Sequence, residues 1–144
     1  MKVKGSTKEK KPIIEGMFTW PSDVPRLLAS RCKKCGTVAF PKKPFCPNPD
    51  CEKKRENIEE IKLSNKGKVY SYSYQLYKPP EPFRLEPFEP YALGMVDFPE
   101  GLRIWGMFTR KENLKIGMEV ETAAGKLYED GDTEYITWMW KPID

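Results

Sequence analysis

Histidine is missing from the sequence altogether. Its absence excludes Ser-His and Cys-His catalysis, and any histidine-ligated metal, carried by this chain alone. Cysteine is scarce, with four in 144 residues. If those four bind a metal, no thiol is left over as a nucleophile. Long apolar runs are missing too. None reaches the roughly 18 residues of a membrane span. The lysine-rich start also lacks the apolar stretch of a secretory signal, so the expectation is a cytoplasmic protein with no membrane partner. What is present is the balance of a globular protein, 39% hydrophobic and 32% charged, in a length that fits one domain or two very small ones.

Charge is unevenly placed. Residues 1–12 hold five lysines and one glutamate; the remainder of the chain is neutral. Within that remainder, Arg26 to Arg55 carries nine basic and two acidic residues, whereas Glu56 to Asp144 carries eleven basic and sixteen acidic. A small basic module therefore precedes a larger acidic one.

Residues 1–12 have no periodic pattern and read as a disordered basic tail. Residues 13–30 are partly apolar. Pro21 and Pro25 prevent one long helix, and Ser22-Asp23 is placed to cap a short one over Val24 to Ala29. This segment reads as a helical or docking segment, with Phe18 and Trp20 as anchors that pack on this chain or dock on another. From residue 56 onward the pattern is β. Lys68 to Tyr77 alternates, with Tyr70, Tyr72, Tyr74 and Leu76 on one face. Pro90–Phe98, Leu102–Phe108, Met118–Ala123 and Glu134–Trp140 follow, separated by turn signals such as Pro99-Glu100-Gly101, Gly117, Gly125 and Glu129-Asp130-Gly131-Asp132. Five short strands over 56–144 predict a small closed barrel.

The cysteines read C-x2-C-x10-C-x4-C: Cys32, Cys35, Cys46 and Cys51. Each short pair can place two sulfurs on one tight turn, and Gly36 suits the positive φ of such a knuckle. Four thiolates favour tetrahedral Zn²⁺, with iron as the competitor. Two disulfides are disfavoured, because nothing indicates secretion. A Cys₄ set is closed, so metal catalysis is not expected. Residues 31–55 thus read as a zinc ribbon.

Taken in order, these signatures resemble a known family: OB-fold proteins with an N-terminal rubredoxin-like zinc ribbon, the acyl-CoA-associated accessory proteins. The resemblance rests on Leu27 to Gly36, Phe45-Cys46-Pro47 to Cys51, Gly67-Lys68-Val69-Tyr70-Ser71-Tyr72-Ser73, Pro90-Tyr91-Ala92-Leu93, and Leu114-Lys115-Ile116-Gly117-Met118-Glu119-Val120. It covers residues 13–143. It implies a mainly β chain with a five-stranded OB-fold, structural zinc, and a thiolase-fold catalytic subunit as partner in a hetero-oligomer. Within the family the chain looks most like the small subunit of benzoylsuccinyl-CoA thiolase from anaerobic toluene degradation. The residue inventory agrees independently. A thiolase needs a nucleophilic cysteine and histidines; with neither to spare, this chain contributes no catalytic residue.

A CoA thioester shared with the partner would need cations for its phosphates. Arg26, Arg31, Lys33, Lys34, Lys42 and Lys43 on the ribbon are the candidates; alternatively they solvate the surface and balance the thiolates. The loop 78–90 holds five of the fourteen prolines, which keep it extended. Its Phe83, Leu85 and Phe88 either dock on a partner or fold back over the barrel mouth. Trp105, Trp138 and Trp140 fall on strands as core, interface or stacking platforms. Glu59-Glu60 and Asp130/Asp132 read as surface charge and turn chemistry rather than acid–base catalysts. Two other functions compete. A single-stranded nucleic-acid-binding OB-fold would want a basic groove, and the barrel segment is acidic. An Fe(Cys)₄ electron carrier would be red.

Overall fold

The computed structural model describes residues 9–22, 24–52 and 54–143. Nine strands and one 3₁₀ turn account for its regular structure. Five of the strands close a barrel: β5 (Lys66–Gln75), β6 (Tyr91–Asp97), β7 (Arg103–Phe108), β8 (Glu119–Asp130) and β9 (Thr133–Pro142). The order around the barrel is β9-β7-β6-β5-β8, and β8 pairs back onto β9. Every pairing is antiparallel except β7 with β9. This is the expected five-stranded OB-fold. Closure leaves no edge among these five strands.

Alternation builds the barrel interior. Ala92, Gly94 and Val96 of β6 and Phe98 just after it are buried, as are Val120 and Thr122 of β8. Trp138 and Trp140 of β9 are both core residues, at 6% and 0% exposure. The Trp140 ring fills the space beside Gly106, where an added Cβ would lie 2.6 Å from the ring; glycine there is what admits the indole. Its N–H donates to the Gly94 carbonyl at 3.1 Å, so the largest buried side chain leaves no polar atom unsatisfied.

Two strand readings shift. A bulge at Val69/Ser71 breaks the period of β5. Val69 and Tyr72 point inward, while Tyr70 is exposed under the Arg103 guanidinium, 3.3 Å from its ring centre. Tyr70 therefore does not share a face with Tyr72. Strand β8 also runs through Gly125 to Asp130 rather than ending at Ala123. Gly125 marks a close approach, not a turn: a Cβ there would meet the Met139 sulfur at 2.3 Å.

The second sheet is small and antiparallel: β3 (Val38–Ala39), β2 (Leu28–Cys32) and β4 (Ile58–Lys62). Strand β4 pairs along the whole of β2, so the ribbon's sheet extends to Lys62 instead of stopping at residue 55.

The segment before it holds no α-helix; among the described residues the one helical element is the 3₁₀ turn Arg55–Asn57. Residues 17–22 and 24–28 instead fold back on one another. Phe18 bridges Leu27, Thr19 N–H donates to the Arg26 carbonyl at 2.9 Å, and Leu28 N–H donates to the Met17 carbonyl at 2.9 Å. The reason lies in the two prolines, which remove amide donors and bias their predecessors to extended backbone. Ser22 caps a turn, accepting from the Val24 amide at 3.2 Å, rather than a helix; Asp23 lies outside the described residues. The expected disordered tail is likewise corrected in part. Residues 9–12 form β1, parallel to β9 at Thr133–Ile136. Residues 1–8 lie outside the described residues.

Ribbon and barrel share one core. Phe18, Leu27, Ala29 and Leu63 cluster with Val96, Phe108, Trp138 and Trp140. Trp138 is the hub, with edge-on contacts to Phe18 (6.2 Å), Phe40 (5.7 Å) and Phe83 (5.9 Å). Polar contacts lock the same junction. Arg26 donates to the Leu63 and Lys62 carbonyls at 2.7 and 3.2 Å. Glu100 accepts from both the amide and the hydroxyl of Ser64 at 2.9 Å. The Thr122 hydroxyl donates to the Pro25 carbonyl. No helix is long and apolar enough to cross a membrane, among the described residues.

Candidate metal centre

Two knuckles bring the four cysteines together. Strand β2 ends at Cys32, whose amide donates to the Thr37 carbonyl (2.9 Å) while its carbonyl accepts from Gly36 N–H (2.7 Å). Gly36 has φ +83°, the left-handed conformation expected after Cys35. The second knuckle uses Asn48. Its side-chain oxygen accepts from Asp50 N–H at 2.9 Å, and its carbonyl accepts from Cys51 N–H at 3.1 Å. The resulting Asx turn positions Cys51 opposite Cys46.

All four sulfurs lie within 4.8 Å of one another. Cys35 and Cys46 are 3.5 Å apart, Cys32 and Cys51 3.7 Å. A tetrahedron with Zn–S bonds of about 2.3 Å has edges of about 3.8 Å. A disulfide would need about 2.05 Å. The spacing fits one tetrahedral metal and not two disulfides. Cys32 and Cys46 are buried, Cys51 is half-buried, and Cys35 faces solvent. The four cysteines would hold structural zinc, which supplies cross-linking here; no coordination position is left for a substrate.

The thiols are not equivalent without metal. The Thr37 hydroxyl, 3.1 Å from the Cys35 sulfur, and the Thr37 amide lower the Cys35 pKa to about 6. Burial, reinforced by neighbouring thiols, pushes Cys51 up to about 12. Metal binding must therefore displace a proton from Cys51, while Cys35 is already a thiolate at neutral pH.

The ribbon cations divide into engaged and free. Arg26 is committed to the junction carbonyls. Arg31 pairs with Glu59 (2.6 Å), Lys34 with Glu52 (3.6 Å), and Lys42 with Glu60 (2.5 Å). Lys33 and Lys43 form no ion pair among the described residues.

The candidate docking residues divide as well. Phe18 is 3% exposed and packs on Trp20 and Trp138, so it is core and presents no docking surface. Trp20 is half-buried, and its indole donates to the Lys10 carbonyl at 3.3 Å. Loop 78–90 folds back on the barrel. Phe83 lies against Trp138, Phe88 against Tyr91, and Leu85 is half-buried. Glu86 N–H donates to the Leu127 carbonyl at 2.9 Å, and Arg84 stacks 4.0 Å over Tyr128. Trp105 is the exposed tryptophan, at 53%. Its surroundings were readable in part: β6 is apolar on both faces, which signals that its outer face is also covered.

Comparison with known proteins matches both halves of the chain. Residues 20–55 match the family described as ChsH2, rubredoxin-like zinc ribbon domain, and residues 60–125 match ChsH2, C-terminal OB-fold domain. A DUF35 domain-containing scaffold protein of Methanocaldococcus jannaschii is 43% identical over 122 residues, 82% of each chain. The benzoylsuccinyl-CoA thiolase subunit BbsA of Thauera aromatica is 34% identical over 131 residues, 86% of this chain and 85% of its own. Among solved structures, the Ltp2-ChsH2(DUF35) aldolase superposes with a TM-score of 0.58 at 27% identity, over 81% of this chain and 84% of that one. Zinc ribbon, barrel and sequence agree, and the chain belongs to the DUF35 family of ChsH2-type zinc-ribbon and OB-fold proteins.

Proposed function

We propose that this chain is the non-catalytic subunit of a thiolase-type acyl-CoA enzyme, assembled with a thiolase-fold partner that carries the reacting residues. The observation that carries the reading is the convergence of all four cysteines on one metal centre in a chain without histidine. No spare cysteine is left to form a thiolase's acyl-enzyme, and no histidine to activate one or to stabilise the thioester enolate. The names of the relatives support it: one is a scaffold protein, one a thiolase subunit, and one part of an aldolase complex. A thiolate-ligated ribbon without disulfides suits a reducing cytoplasm.

The chain's work in such an assembly is architectural. The ribbon and barrel form a fixed platform, and the CoA thioester is bound against it by the partner. Of the six candidate cations, Lys33 and Lys43, which form no ion pair among the described residues, are the ones we assign to its phosphates. A nucleic-acid role draws no support from the charge, since residues 63–144, which follow the ribbon's sheet, hold thirteen acidic and ten basic residues.

Native purification tests the reading. A thiolase-fold protein should co-elute at constant ratio, and thiolysis of a 3-oxoacyl-CoA, benzoylsuccinyl-CoA first, should require both chains. Full activity from the partner alone, or elution of this chain as a lone monomer, would refute it.

A further inference from the structure

The outer face of β6 and β7 is apolar where a solvated strand would be polar. Leu93 lies opposite Met107, and Met95 opposite Trp105. The row ends at Asp97 and Arg103, which neutralise each other at 2.6 Å. Loop 78–90 covers one end of this face. Together they enclose a pocket of about 190 Å³ lined by Phe83, Tyr91, Leu93, Trp105, Met107 and Trp138, with Pro79 and Pro80 at its rim. Leu76 and Tyr77, just before that rim, are 67% and 83% exposed.

Size selects the occupant. The volume equals about six water molecules, well below the ~300–1,000 Å³ of sites that engulf a cofactor or drug-sized ligand. A whole CoA thioester does not fit; one large side chain does. Charge selects further. No charged residue lines the pocket, and residues 63–144, which build the barrel, hold thirteen acidic against ten basic residues. A polyanion is unsuited to this surface, whereas an apolar anchor flanked by basic residues complements it. The walls are also pre-set. Trp138 is held by its indole N–H on the Trp105 carbonyl at 3.0 Å, and Phe83 N–H donates to the Pro80 carbonyl at 3.0 Å. Little ordering is left to be done on binding. An uncharged aromatic and methionine surface around a preformed hole is the composition of an interface centre.

We infer that this pocket receives one large apolar side chain of the catalytic partner subunit, with basic partner residues around it facing the acidic barrel. The inference rests on the function proposed above and specifies where on this chain the partner sits. Trp105→Glu in the full-length chain tests it, because the exposed Trp105 side chain can change while its carbonyl still serves Trp138. Ile116→Glu, at a 72% exposed position in the loop before β8, is the control. Affinity for the co-eluting thiolase-fold subunit should fall about thirtyfold or more, the size of a hot-spot loss, with unchanged circular dichroism and zinc content. Ile116→Glu should bind as the native chain does. If Trp105→Glu assembles normally, the surface is wrong while the proposed function stands. If the native chain recovers no thiolase-fold subunit, both fall. A native dimer that Trp105→Glu turns into monomer would assign the pocket to a second copy and overturn the inference.

Discussion

The ribbon and the barrel are both β-sheets, yet they are held together by different forces. The barrel has a filled interior: Val69, Val96, Val120 and Trp140 are each at most 2% exposed. The three-stranded ribbon sheet buries little of its own: Ala29 packs with Leu27 against the barrel, Ser30, Cys32 and Ala39 are its other buried strand residues, and its far end is built from Cys32, Cys35, Cys46 and Cys51. One region is stabilised by apolar burial spread over many residues, the other by a few bonds at a point. A small module concentrates its stability in a metal when it cannot surround a core of its own.

The largest expected effect tests that division directly. Removing the metal with a chelator, or changing Cys46 to Ser, should abolish hydrogen-exchange protection in β2 and β3. Strands β6 and β7 should keep theirs. Structural zinc sites supply about 10–16 kcal/mol in isolated fingers, more than a sheet this small can replace. Equal loss in both regions would show that the barrel, too, depends on the metal. The reverse experiment is Gly106→Ala. A methyl group 2.6 Å from the Trp140 ring overpacks the barrel at its centre and should cost about 1–3 kcal/mol. Urea unfolding followed by tryptophan fluorescence checks it, and zinc content of the folded protein should stay at one per chain. A midpoint equal to the native one would mean the ring has room to move.

The smallest effect concerns how tightly the ribbon holds zinc as pH changes. Thiolates bind metal, so each thiol still protonated in the free site must give up its proton. Cys51, at about 12, loses its proton to zinc throughout the physiological range. Cys35, at about 6, adds a further proton only when the pH falls below that value. The plot of log affinity against pH should therefore steepen by about one proton on going below pH 6. Competition with a chromophoric chelator between pH 5 and 8 measures the slope, and Thr37→Val should move the break upward.

The metal site and barrel were legible because their signals are local. The spacing of Cys32, Cys35, Cys46 and Cys51 needs only two tight turns to become a tetrahedron. The β-strands announce themselves by period-two patterns. The errors arise where distant groups decide. A bulge moved Tyr70 off the face its spacing suggested. Gly125 resembled a turn because nothing local reveals Met139 beside it. Phe18 could be read either as core or as a docking anchor, because the residue it packs on, Trp138, lies 120 residues away in the chain. The contact of Glu100 with Ser64 and the stack of Arg84 on Tyr128 have no sequence pattern at all. The apolar outer face of β6 did have one, Tyr91, Leu93 and Met95, which reads as a covered surface once the buried face is known.

Strand β9 pairs with β8 and β7 and also with β1, the first strand described. During synthesis this sets an order. All three ribbon strands and all four cysteines precede residue 63, so the metal can be captured while most of the barrel is still unmade. The barrel cannot close until β9 leaves the ribosome, and β1 waits longest, separated from its partner by more than 120 residues. Contacts of such long sequence separation fold slowly. A ribbon that is already cross-linked gives the waiting N-terminal segment a fixed point from which to find the last strand.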